Sequence, residues 1–116
     1  MEEKTAVGLA VLWVTQDKEV ARSMVFMYTR NSKLKGWWGQ VRLIVWGPSA
    51  NLLANDVELQ AELEGLKSAG VELLACKACT DRYGVSDKLT ELGIEVLYMG
   101  APLTGMLKEG WATLSV

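Results

Sequence analysis

Apolar runs of strand length alternate with amphipathic stretches from one end of this chain to the other. The first run, "AVGLAVLWVT" (residues 6–15), is nearly unbroken, and its valines and Trp13 favour a strand buried on both faces. In "QDKEVARSMVFMYTRNSK", Val20, Met24, Met27 and Tyr28 recur at helical spacing, with Asp17 placed to cap the start. "VRLIVWG" (41–47) predicts a second buried strand. "PSANLLANDVELQAELEGLKSAG" predicts one long helix or a pair, with Ser49 as cap, a Leu59, Leu63, Leu66 stripe and Gly70 as stop. "VELLAC" (71–76) predicts the third strand. "KACTDRYGVSDKLTELG" is helical, with Val85, Leu89 and Leu92 on one face and Gly93 ending it. "IEVLYMG" (94–100), the short helix "LTGMLKEG" and the closing strand "WATLSV" complete the chain.

Strict alternation of continuous apolar strands with helices predicts an α/β fold. It is a three-layer α/β/α sandwich around a parallel five-stranded sheet, in one domain over residues 1–116. Open sheets of this kind bind ligands at the carboxyl edge of the strands. The residues delivered there are Thr15-Gln16, Gly47-Pro48-Ser49, Cys76 to Cys79, and Gly100-Ala101-Pro102.

Composition narrows the picture. Half of the 116 residues are hydrophobic (50%) and only two are proline, enough apolar material for a real core. Lys plus Arg is 12 and Asp plus Glu is 14, a net charge of −2, which argues against a nucleic-acid partner. The start, Met1-Glu2-Glu3-Lys4, is acidic, and the apolar run after it is too short to span a bilayer and lacks a basic lead-in. A cytoplasmic protein without a membrane partner is therefore expected. In that compartment a close cysteine pair is more often catalytic or metal-binding than a structural disulfide.

The two cysteines, Cys76 and Cys79, stand in "ACKACTDRYGV". Zinc needs three or four protein ligands, and the chain has two thiols, no histidine and no second CxxC, so no metal or organic cofactor is expected. Redox chemistry fits a CxxC after a strand and at a helix start, although the element order does not follow the thioredoxin pattern. Sulfur transfer fits as well: a thiolate that attacks sulfane sulfur holds it as a persulfide. Cys76 ends a strand, so the amides of the next helix would favour its thiolate, with Lys77 and Arg82 near in sequence to add to the effect. The alternative to chemistry is packing, because free cysteine is among the most buried residue types.

Three segments, "VRLIVWGPSANLLANDVELQ", "AGVELLACKACTDRYGV" and "LGIEVLYMGAPLTGMLKEGW", resemble the DsrE/DsrF-like family of sulfur-relay proteins, with its ACxxCxDxxGV pattern followed by YMGxPLT. The resemblance covers about two thirds of the chain closely, from Trp38 onward. It implies a parallel five-stranded sheet between helices and assembly into trimers or hexamers. It also implies persulfide chemistry on the cysteine after the third strand, here Cys76, ahead of the Gly84-Val85 step. Sulfur would come from a donor and pass to an acceptor protein with a reactive cysteine. Cys79 has no counterpart in some carriers of the family; it would turn the persulfide into a disulfide or simply pack. Two other readings stay open: a CxxC thiol-disulfide redox protein, and a non-catalytic oligomeric binding module.

The remaining candidates are weaker. Thr15 and Ser49 are binding candidates at the carboxyl edge, Ser49 also as a helix cap whose first turn lines the pocket. Gly47 and Pro48 shape a turn. Tyr98 and Met99 are expected to pack. Five tryptophans are many for this length, and Trp37-Trp38, in a loop-like stretch, would form a contact surface if exposed. The acidic run "NDVELQAELEG" reads as a solvated helix face.

Overall fold

A computed structural model describes residues 6–116, so the acidic Met1-Glu2-Glu3-Lys4 lies outside the described residues. Five strands alternate with helices: β1 (Leu9–Trp13), β2 (Val41–Val45), β3 (Glu72–Cys76), β4 (Glu95–Leu97) and β5 (Ala112–Ser115). They form one sheet in the order β4-β3-β2-β1-β5, and every pairing is parallel.

That order sets how the helices are distributed. The steps β1 to β2, β2 to β3 and β3 to β4 move in one direction, so right-handed crossovers place their helices on one face. These are α1 (Lys18–Val20) with its continuation, α3 (Pro48–Asn55), α4 (Val57–Ala69), α5 (Lys77–Tyr83) and α6 (Ser86–Glu91). The return from β4 to β5 runs the other way, and α7 (Gly100–Glu109) crosses the opposite face. Two unequal cores result. The larger holds Trp13, Leu43, Leu63 and Leu89; the smaller, under α7, holds Ala10, Ile44, Leu74, Cys76, Met99 and Met106. Each fully buried leucine or valine contributes about 1.5–3 kcal/mol relative to exposure.

The first helix differs from its sequence reading. After α1 the chain enters a π-helical stretch, Ala21–Phe26, and then α2 (Met27–Leu34). The residues turned inward are Ala21, Val25, Phe26, Thr29 and Ser32, whereas Val20, Met24 and Met27 are exposed and Tyr28 is half-buried. The wider π turn moves the buried stripe off the 3.6-residue spacing. Two polar residues occupy core positions, which hides the stripe from a hydropathy pattern. Asp17 caps α1 as predicted, accepting the Val20 N–H at 3.1 Å.

The long segment 48–70 is a pair of helices, broken at Asp56. Its carboxylate accepts the Leu59 N–H at 3.0 Å and caps α4. The Leu59 amide holds that carboxyl below its usual range, with Lys18 adding to the effect. The acidic run is thus a cap and a set of ion pairs: Asp56 and Glu58 with Lys18, Glu58 and Glu62 with Arg22, and Glu64 with Lys67. Leu59, Leu63 and Leu66 form the buried stripe, and Gly70, at φ 95°, ends the helix. The segment 77–93 is likewise two helices, parted at Gly84 with φ 69°.

Among the tryptophans, Trp13 and Trp111 are core residues and Trp37 is exposed. Trp38 packs half-buried beside Tyr28. No helix among the described residues is long and apolar enough to cross a membrane.

Candidate functional site

Cys76 is the last residue of β3, in register with Leu97 of β4. Its backbone is still extended (φ −71°, ψ 111°) while it caps the start of α5, and no side chain caps that helix. Alternation along β3 turns Cys76 to the α7 face, into a cluster with Leu74, Met99 and Met106 against which Trp46, Leu97 and Leu103 pack. The thiol is buried, only 5% exposed, so the strand end does not present it openly to solvent. Cys79, one turn along α5, is half-buried and sits nearer the surface. Both are free thiols.

The two thiols are neighbours: Cys79, three residues after Cys76, packs against the apolar cluster that contains it. Burial, followed by the Cys76 thiol, pushes the Cys79 thiol above its ordinary pKa; the Gly47 amide and, more weakly, the Arg82 guanidinium pull it down without reversing the balance. The helix start therefore does not make Cys79 an acidic thiol. Replacing Cys76 with alanine removes one raising partner and opens space around Cys79. The pH at which Cys79 is half-alkylated by iodoacetamide is expected to move down, with several-fold faster alkylation at neutral pH. An unchanged midpoint would show that the thiols do not sense each other.

The corner below is held by a compact polar network. Thr80, fully buried, has its hydroxyl 3.1 Å from the Lys77 carbonyl and 2.7 Å from the Ser86 hydroxyl. Asp81 accepts from Ser86 and pairs with Lys77 at 2.6 Å. This network fixes α5 against α6, and with it the direction of Cys79.

The other predicted site residues separate. Lys77 is drawn to Asp81 and lies over the Tyr98 ring at 5.4 Å, so its charge is committed away from the thiols. Arg82 is exposed and close enough to act on Cys79. Ser49 is neither cap nor pocket wall. It is fully buried, donates to the Trp13 carbonyl and accepts the Trp46 N–H at 3.3 Å, tying the ends of β1 and β2 together. Gly47 occupies the cap position of α3 instead, with Pro48 at the first turn. Thr15 accepts the Asp17 N–H at 3.1 Å in the turn after β1, with β2 standing between its strand and that of Cys76. Tyr98, expected to pack, is 67% exposed, whereas Met99 is buried. Gly47, expected at the carboxyl edge as a turn former, also acts on Cys79 through its backbone. Among the described residues, no three His, Cys, Asp or Glu side chains gather closely enough to hold a metal ion.

The profile of the DsrE/DsrF-like family matches residues 19–116. The chain belongs to that family. Solved structures agree with the assignment. A conserved protein of unknown function from Bacteroides thetaiotaomicron superposes with a TM-score of 0.90 at 42% identity, over 93% of each chain. A protein of unknown function from Methanobacterium thermoautotrophicum gives 0.70 at 26% identity, over 93% of this chain and 98% of its own. The ychN protein from E. coli gives 0.65 at 18% identity, over 93% of this chain and 97% of its own, and shares the fold. No curated protein matches the chain. The parallel five-stranded α/β sheet of this DsrE/DsrF-like protein is thus the fold of its structural neighbours, and the cysteine pair stands at the carboxyl edge of that sheet.

Proposed function

We propose that this protein carries sulfur. The Cys76 thiolate attacks the sulfane sulfur of a persulfide or polysulfide donor, the donor thiolate leaves, and a Cys76 persulfide forms. A partner's cysteine thiolate then attacks the outer sulfur, and Cys76 leaves as thiolate, ready for another load. The observation that carries this reading is the position of Cys76: the strand-to-helix junction of β3 and α5, at the carboxyl edge, in a chain of the DsrE/DsrF-like family.

The surroundings support it. The cluster that holds Cys76, with Met99 in it and Trp46 and Leu97 packed against it, gives the thiol an apolar, polarizable setting. A persulfide bond is about 2 Å long, so the outer sulfur extends beyond the buried Cys76 thiol toward a partner's reach. Homo-oligomeric assembly, as trimer or hexamer, and work in the cytoplasm belong to this proposal, together with a donor and an acceptor protein.

Intact mass spectrometry after brief exposure to polysulfide tests it on wild type, Cys76→Ser and Cys79→Ser. One added sulfur is expected on wild type and on Cys79→Ser, and none on Cys76→Ser. Sulfur retained by Cys76→Ser, or taken up by no variant, overturns the proposal. The placement of the two free thiols three residues apart at the start of α5 favours a second reading, a redox couple. It prevails if wild type loses two hydrogens without ever showing added sulfur and Cys79→Ser takes none.

A further inference from the structure

Cys79 has no part in loading or relaying sulfur, yet the fold places it in the first turn of the helix that Cys76 caps and packs it against the cluster that holds Cys76. Three features make this more than proximity. Cys76 caps α5 and Cys79 lies three residues on, in its first turn. Residues three apart on a helix hold their Cβ atoms about 5–6 Å apart, and a disulfide needs about 3.5–4.5 Å, so a small closure joins the pair. The Thr80–Ser86–Asp81 network immobilises the turn, so Cys79 stays aimed at its neighbour. Finally, Cys79 is the more exposed of the two.

We infer that Cys79 is the resolving thiol of this site, discharging a Cys76 persulfide as hydrosulfide when no acceptor takes it. The inference rests on the persulfide reading above. The step is Cys76–S–S⁻ plus Cys79–SH giving the Cys76–Cys79 disulfide plus HS⁻. Cys79 sulfur bonds to the Cys76 sulfur, the bond to the outer sulfur breaks, and the Cys79 proton departs on the leaving group. The sulfane sulfur is reduced to sulfide and the two cysteine sulfurs are oxidised to a disulfide. A dithiol reductant resets the pair by exchange, giving two thiols and its own disulfide. The carrier therefore has an empty, oxidised state that accepts no sulfur until it is reduced.

The test starts from chain loaded briefly with polysulfide, desalted, and followed by intact mass and by methylene-blue assay of released sulfide. Wild type is expected to lose its added sulfur and end two hydrogens below the reduced mass, with one hydrosulfide per chain. Dithiothreitol then restores the reduced mass. Cys79→Ser and Cys79→Ala, checked by circular dichroism for an intact fold, are expected to hold the sulfur longer by on the order of tenfold or more, since the intramolecular attack is gone. Equal lifetimes in wild type and both variants would overturn the resolving role and leave the carrier reading standing. Failure of every form to load would remove both.

Discussion

Replacing Trp13 with alanine is expected to cost the fold about 3–5 kcal/mol, the range for emptying a large aromatic from a core. Trp13 is fully buried at the end of β1, and its ring meets Phe26 edge-on at 5.1 Å. It joins the sheet to the π-helical stretch, so the cavity would open where two elements share one side chain and neither can collapse without moving the other. Against a total stability of roughly 5–15 kcal/mol, that is a large fraction. Guanidinium unfolding should show the midpoint falling with little change in slope. Trp13→Phe should cost clearly less. Part of its loss is offset by removing the indole N–H, which is buried without a hydrogen-bond partner, a situation that costs about 1–3 kcal/mol. If Trp13→Ala unfolds at the wild-type midpoint, this core does not depend on the strand-to-helix contact.

The second large effect is expected at Gly47, where fold and chemistry meet. Its backbone sits at φ 68° and ψ −139°, close to a region that glycine alone populates readily. An added Cβ would meet only Val14 at 3.6 Å, an ordinary contact. The cost of Gly47→Ala is therefore torsional, on the order of 1–3 kcal/mol. Relief of that strain would turn the amide away from Cys79 and remove an influence that lowers the thiol's pKa. Cys79 should then titrate higher, and iodoacetamide should label it more slowly at neutral pH. Destabilisation with an unchanged labelling rate would show that the amide shapes the turn and does not act on the thiol.

Much of this architecture was legible along the chain because its signals are local. Five apolar runs with helices between them allow few arrangements other than a parallel α/β sheet, and right-handed crossovers then deliver Cys76 and Cys79 to the carboxyl edge. Asp17 as cap, the Leu59–Leu63–Leu66 stripe and Gly70 as stop are likewise set by residues within a few positions of one another. The cysteine spacing and its flanking pattern pointed to the family to which the chain belongs.

What depended on distant partners was not legible. The Ser49 hydroxyl is claimed by a carbonyl 36 residues earlier, and nothing local announces that strand end. Thr29 and Ser32 hid the buried face of the first helix for a different reason, since polar side chains there break the hydropathy pattern. Cys76 is enclosed because the β4-to-β5 return lays α7 across the second face. Local propensity and periodicity determined which segments are strands and helices and where the thiols stand in the order. The burial of Cys76 and the position of Gly47 near Cys79 were decided by the sheet, which alone brings residues from separate segments together.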